Sequence, residues 1–221
     1  MKKKLIIFGT GEIAQVALFY FQNDSNYEVT AFSVNKEYIN QNFLCGLPVI
    51  EFENVSTQYP PREYDFFIAI SYSKLNKIRK EKFLEAKKMG YKMASYISSK
   101  AIVLNEHRLG ENCFILENNV IQPFVSIGHN VTLWSGNHIG HHSIIGDHTF
   151  ISSHVVISGG VEIGEQCFLG VNATIRDHIK IGNRCVIGAG AILLANAKTD
   201  SVYIGKKTEC SALPSIKLRG L

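Results

Sequence analysis

Residues 133–146 read Leu133-Trp134-Ser135-Gly136-Asn137-His138-Ile139-Gly140-His141-His142-Ser143-Ile144-Ile145-Gly146. An aliphatic residue returns here every six positions, at 133, 139 and 145, and Gly follows the last two. Stepping outward by six reaches Leu109, Ile115, Ile121 and Ile127 on one side. On the other it reaches Ile151, Ile157, Ile163, Leu169, Ile175, Ile181, Ile187 and Leu193, fifteen aliphatics in all with no insertion. Gly follows the aliphatic at 110, 128, 140, 146, 164, 170, 182 and 188. A small or β-branched residue stands four positions after it, as at Cys113, Val125, Val131, Ser143, Thr149, Val155, Cys167, Ala173 and Cys185. A fixed period of this kind marks a solenoid. Each hexad reads as one short strand and a turn, and three hexads make one triangular coil. The aliphatic points inward, the small residue fills the space beside it, and Gly is expected at a corner with unusual dihedrals. Fifteen hexads give five coils, a parallel β-helix about 24 Å tall at ~4.8 Å per coil. Cys113, Cys167 and Cys185 fall in the inward phase, which makes them core residues rather than nucleophiles.

The N-terminal half has another rhythm. Leu5-Ile6-Ile7-Phe8 runs into Gly9-Thr10-Gly11, and Glu12 to Phe21 follows with helical spacing. Tyr27 to Ser33 reads as a second strand, and Tyr64-Asp65-Phe66-Phe67-Ile68-Ala69-Ile70 as a third. Ser71 and a basic helix from about Lys74 to Lys88 come next. Strands alternating with helices predict a small parallel Rossmann-like sheet. The expected division is an α/β domain over 1–95 and the β-helix over 100–221. Gly9-Thr10-Gly11 half-matches a dinucleotide fingerprint, but Phe32-Ser33-Val34-Asn35-Lys36 lacks the acid that NAD requires after the second strand. A phosphate or sugar oxygen at the helix start fits better, and a turn without a ligand stays open.

Composition narrows the class. The 221 residues are 46% hydrophobic and 19% charged, the balance of a globular chain. The formal charge of +4 is mild and gives no reason to expect a nucleic-acid partner. No apolar run approaches a membrane span, so membrane insertion is not expected. The basic start Met1-Lys2-Lys3-Lys4 precedes only four apolar residues, which reads as a first strand and predicts a cytoplasmic protein. Five cysteines without a CxxC pair fit reduced thiols. All eight histidines lie beyond residue 100.

In this order the two halves resemble the sugar acyltransferases of the sialic-acid O-acetyltransferase and bacillosamine N-acetyltransferase group. The resemblance rests on Phe8-Gly9-Thr10-Gly11, Tyr64 to Ile70, His141-His142-Ser143-Ile144-Ile145-Gly146-Asp147 and Cys167-Phe168-Leu169-Gly170-Val171-Asn172. It implies left-handed coiling, a homotrimer, and acetyl-CoA as co-substrate in the groove between neighbouring prisms. The implied reaction is N-acetylation of a nucleotide-linked amino sugar, such as a UDP- or dTDP-amino-dideoxyhexose, for surface polysaccharide or glycan biosynthesis. Gly9, Thr10, Gly11, Asn35, Lys36, Ser71 and Tyr72 would meet the nucleotide-linked sugar. Gly159 would polarise the thioester carbonyl through its N–H, and Val171, Asn172 and Ala189 would line the pantetheine arm. No metal is expected.

The family's catalytic His is followed by an acid. That position makes His141 the base, and His142 stands where the acid would be. Either Asp147 supplies the carboxylate from a neighbouring turn, or His142 orients the ring by hydrogen bonding. The tail departs as well, with Tyr203-Ile204-Gly205-Lys206-Lys207-Thr208 in place of a Val-Gly-x-Pro-Ala segment. His129 reads as a surface residue, and His154 as facing either the groove or an interface. The nucleotide-amino-sugar character of Tyr64 to Ile70 favours an amine over a hydroxyl acceptor, and an acyl group longer than acetyl stays open. A metal-dependent β-helix hydratase and a non-catalytic β-helix are the readings from other classes.

Overall fold

The computed structural model describes residues 2–104 and 109–217. Leu5, Ile6, Ile7 and Phe8 are buried on both sides of strand β1 (Lys3–Phe8), as a central parallel strand requires. Helix α1 (Glu12–Asn23) returns the chain to strand β2 (Tyr27–Val34). A hairpin that sequence reading did not anticipate follows, β3 (Phe43–Leu44) and β4 (Leu47–Glu51). Its two-residue turn places Cys45 and Gly46 at φ 49° and 79°, the left-handed pair that tight hairpins need. The short helix α2 (Val55–Gln58), strand β5 (Tyr64–Ile68) and helix α3 (Lys77–Lys88) complete the domain. The sheet order is β3-β4-β2-β1-β5, parallel except for the hairpin. One layer packs Leu5, Ile7, Ala14, Phe21 and Phe67, and the opposite layer packs Ile6, Phe8, Phe66 and Phe83. α3 starts three residues later than expected because Lys74, Leu75 and Asn76 are all left-handed.

From Tyr96 the chain winds as a left-handed parallel β-helix with three faces. The first face stacks seven rungs, from Tyr96–Ile97 through Thr132–Leu133 to Val202–Tyr203. The second stacks six, from Ile102–Val103 through His138–Ile139 to Ile192–Leu193. The third has rungs at Ser126–Ile127, Ile144–Ile145, Glu162–Ile163 and Lys180–Ile181, extended by bridges at Leu109 and Ala197. Ile97 and Val103 therefore add two hexads before Leu109; Val103 breaks the unbroken Ile/Leu run, which hid them. The last coil is shortened, since Ile181 pairs with Ala197 and Ile187 with Tyr203. The aliphatics at every sixth residue and the small residues between them form one continuous core.

The glycine expectation needs correcting. Left-handed backbone occurs three residues after the aliphatic, at Asn112, Asn118, Phe124, Asn130, Gly136, His142, His148, His154, Gly160 and onward. Asn and His tolerate that conformation, so few corners are Gly. The Gly directly after the aliphatic is needed for space instead. A Cβ at Gly110 would lie 2.4 Å from the Gly128 carbonyl oxygen, and one at Gly146 would lie 2.6 Å from the Gly164 carbonyl carbon. On the third face this Gly recurs in every coil from 110 to 182. There Asp147 and Asn183 fold across Gly128 and Gly164 to accept N–H bonds from His129 and Glu165 at 2.7 and 2.9 Å.

The corner between the third and first faces carries the joint to the α/β domain. Asn112, Asn130 and His148 stack there, and Arg79 of α3 reaches in among them. Tyr20 of α1 adds a second tie, donating to Glu117 at 2.7 Å.

Candidate active site

At the carboxyl ends of β1, β2 and β5 the strand order reverses around β1, and a cleft of about 700 Å³ opens there. Gly9, Thr10, Gly11, Asn35 and Ser71 line it, together with Glu12, Tyr38, Ile78 and Glu81. Gly9 has φ 119°, and a Cβ there would stand 2.8 Å from the Ala69 carbonyl oxygen, so only glycine fits this turn. Gly11 caps α1 without a side-chain bond, which leaves first-turn N–H groups open to an anion. Two expected residues are not among the cleft lining. Lys36 pairs with Glu51 at 3.3 Å, and Tyr72 stands in an adjoining groove.

That groove, about 380 Å³, shares Glu12, Ile13 and Ser71 with the cleft and continues past Tyr72, Trp134, Phe150, Ser152 and Ser153 to Val171. It joins the α/β domain to the prism corner between the first and second faces. Asn172 and Ala189 belong to that same corner. Sequence reading missed Trp134, Ser152 and Ser153. Their one mark in the sequence is that Trp134 and Ser152 stand directly after an inward aliphatic, a position that Gly fills in eight other hexads.

His141 and His142 form the next corner, between the second and third faces. Both are exposed. Their Nδ1 atoms are 3.1 Å apart, so one ring donates and the other accepts. His142 has φ 59° and packs against Phe124, with ring centroids 4.6 Å apart and the planes tilted by 39°. The His141 backbone N–H donates to Gln122 Oε1 at 2.9 Å. Gly159 lies one coil above, and a Cβ there would come within 2.6 Å of His141 Cε1 and 2.7 Å of Nε2. The glycine thus clears a shelf beside the ring, and its own N–H has no partner among the described residues. When His142 Nδ1 accepts from His141 Nδ1–H, His141 Nε2 is left unprotonated on the shelf side, ready to take a proton.

Asp147 does not serve this pair. It sits at the joint corner and accepts the His129 N–H, so the carboxylate expected from a neighbouring turn is spent elsewhere. Asp177, two coils above His141, bonds His178 at 3.1 Å instead. His129 is exposed and accepts the Glu111 N–H. His154 is exposed at the groove corner, its ring lying over Gly136. His148 is buried in the joint, where desolvation lowers its pKa to about 4. Within one chain, then, His141, His142 and Gly159 share one corner, while Val171, Asn172, Ala189 and the groove share another. Among the described residues no group of three or more His, Cys, Asp or Glu could hold a metal ion, and no helix is long and apolar enough to cross a membrane.

Residues 106–140, 125–159 and 160–195 match the family described as bacterial transferase hexapeptide (six repeats). No curated protein matches the chain. Among solved structures, the acetyltransferase domain of PglB from Neisseria gonorrhoeae in complex with acetyl coenzyme A is similar over 93% of this chain and 97% of that one. Its TM-score is 0.80 at 21% identity. PerB from Caulobacter crescentus, in complex with CoA and GDP-perosamine, is similar over 91% and 94%, with TM-score 0.81 and 23% identity. WeeI from Acinetobacter baumannii is similar over 92% and 97%, with TM-score 0.77 and 18% identity. At these identities the likeness is one of fold: an α/β domain followed by a left-handed β-helix, shared along nearly the whole length of each chain.

Proposed function

We propose that this protein is an acetyl-CoA-dependent N-acetyltransferase of a nucleotide-linked amino sugar, working as a cytoplasmic homotrimer. The observation that carries this reading is the His141–His142 pair beside the glycine-cleared shelf at Gly159. The cleft at Gly9–Gly11 supplies a nucleotide site, and the groove past Ser71 and Trp134 leads the sugar to the prism. The structurally similar proteins bound to acetyl coenzyme A and to CoA with GDP-perosamine support the two substrates. The sugar amine attacks the thioester carbonyl carbon as His141 Nε2 takes its proton. The Gly159 N–H faces the oxygen that gains charge, and the C–S bond then breaks to release the coenzyme thiol, which regains the proton.

A second copy completes the site. The groove corner and the His141 corner are opposite edges of the second face, whose outward residues are Ile102, Val120, His138, Val156, Thr174 and Ile192. Ile102, Val156 and Ile192 are 55%, 42% and 69% exposed. Packing this mostly apolar ladder around a threefold axis brings the His141 corner of one copy to the groove of the next.

The test incubates the protein with acetyl-CoA and a panel of UDP-, dTDP- and GDP-linked amino sugars and follows thiol release. Turnover with an amino sugar is expected. Turnover with hydroxyl sugars alone would make the enzyme an O-acetyltransferase, and failure to bind coenzyme A would sink the enzymatic reading.

A further inference from the structure

Between the cleft and α3 the chain makes a turn that ordinary residues avoid. Lys74, Leu75 and Asn76 have φ 49°, 51° and 62°, three left-handed residues in succession with no glycine among them. Such a run is disfavoured for L-residues and persists only where its surroundings hold it. Asn76 is fully buried; its N–H bonds back to the Tyr72 carbonyl at 3.1 Å, and its Nδ2 donates across the domain boundary to the Cys167 carbonyl of the prism at 2.9 Å. Asn76 Oδ1 accepts from Arg79 Nη2 at 2.9 Å. Arg79 is 1% exposed and has no carboxylate partner among the described residues. Its guanidinium is spent on prism oxygens instead: the Asn130 carbonyl, Thr132 Oγ1 at 3.1 Å and the His148 carbonyl at 2.9 Å. Nε is left buried without a bond. Its Cζ lies 5.8 Å from the Phe150 ring centroid. A buried cation held by neutral oxygens and one ring face, with no carboxylate, is costly for stability alone, where an apolar side chain would serve. The Asn112 side chain pins the same segment from its other end, accepting from Ile68 N–H at 2.8 Å.

The segment held in this way is the one between the two ligand spaces. Ser71 lines both the cleft and the groove, and Tyr72 packs between Phe150 and Phe168 of the first face, with centroids 5.1 and 4.7 Å away. We propose that Asn76 and Arg79 are positioning residues: they clamp the left-handed Lys74–Asn76 turn to the prism and thereby hold Ser71 and Tyr72 where the sugar passes from the cleft to the acyl-transfer corner. This rests on the function proposed above.

The test compares Asn76→Gly, which accepts left-handed backbone but loses the side-chain bonds, with Arg79→Lys and with the exposed control Lys77→Ala. Thiol release gives kcat and KM for each substrate, and melting reports the folded fraction. In Asn76→Gly and Arg79→Lys, kcat/KM for the sugar should fall on the order of 10- to 100-fold while KM for acetyl-CoA stays within about twofold. Lys77→Ala should behave as wild type. Retention of kcat/KM for the sugar within about twofold would overturn the proposal. So would a loss of kcat that merely tracks unfolded protein, with both KM values unchanged. If wild-type protein acetylates no sugar, the functional reading fails separately, and hydrogen exchange decides the clamp. Amides of residues 71–77 exchanging faster in Asn76→Gly than in the control support it, and equal rates reject it.

Discussion

His141 and His142 meet Nδ1 to Nδ1, a geometry that one shared proton satisfies and two would break. An imidazole in the acceptor position can fix the tautomer of its neighbour as a carboxylate does, but it offers no negative charge to the cation that forms during catalysis. The two residues should therefore differ in weight. His141→Ala should lower kcat at least ~100-fold, the low end for removal of a general base, with little change in melting because the side chain is exposed. His142→Ala should cost less than that, with KM for acetyl-CoA held, and His142→Asp should restore the orienting acceptor and recover rate. Steady-state kinetics on the three variants checks the order; a full-rate His141→Ala enzyme would remove the base from the mechanism. The sequence marks His141 as the candidate base through its motif. It does not choose between Asp147 and His142 as the partner, because that depends on which corner each occupies, and Asp147 is bonded to His129 at another.

Along each rung, glycine does different work according to what lies one coil above. The nearest atoms that a Cβ on Gly159 would meet are those of the His141 ring, and the backbone there is not left-handed, so Gly159→Ala should leave folding intact and displace the imidazole. A kcat loss of about 100-fold at an unchanged melting temperature is expected. A Cβ on Gly140 meets backbone instead, 2.5 Å from both Gly159 N and the Ser158 carbonyl carbon. Gly140→Ala should therefore cost roughly 1–3 kcal/mol of stability, seen as a melting temperature lower by several degrees. If the two variants melt alike, the distinction between shelf and spacer is wrong. The same geometry explains what the sequence disclosed. Burial at every sixth residue repeats within a short window, so the inward Ile, Leu and small positions were readable. The reason for Gly was not, because it comes from a neighbour eighteen residues away. Ile97 and Val103 were hidden because Val103 departs from the Ile/Leu run, and the Phe43–Glu51 hairpin because its two strands are short and its turn pairs Cys with Gly. The eighteen-residue count also separates Gly159, one coil from His141, from Val171, Asn172 and Ala189, which fall on another corner.

Across the whole molecule two joints matter, one within the chain and one between copies in the proposed trimer. Within the chain, burial against the α/β domain holds the His148 pKa at about 4, with Lys80, Arg79 and His129 pushing the same way and Asp147 opposing. An unfolded chain binds a proton on this histidine below its ordinary value near 6.5, and the folded joint does not until pH 4. The unfolded state thus binds more protons in this window, so the contribution is full at neutral pH and is lost as pH falls from 6.5 to 4. Its size is on the order of 3 kcal/mol. His148→Asn should flatten that part of the stability–pH curve in denaturant titrations; an unchanged slope would place the histidine outside the linkage. Between copies, the separation of His141 from the groove makes a sharper demand. If the site lies within one chain, a His141→Ala subunit and a subunit blocked in the cleft by Gly11→Trp, where an added Cβ meets nothing within 4 Å, are both dead, alone or mixed. If it lies between copies, a mixed trimer contains interfaces where an intact His141 corner faces an intact groove. Random assembly from equal amounts should place both intact halves at about a quarter of the interfaces, so mixing, unfolding and reassembling two inactive variants should restore roughly a quarter of wild-type activity. Activity that stays at zero in trimers shown to be mixed would return the whole reaction to a single chain.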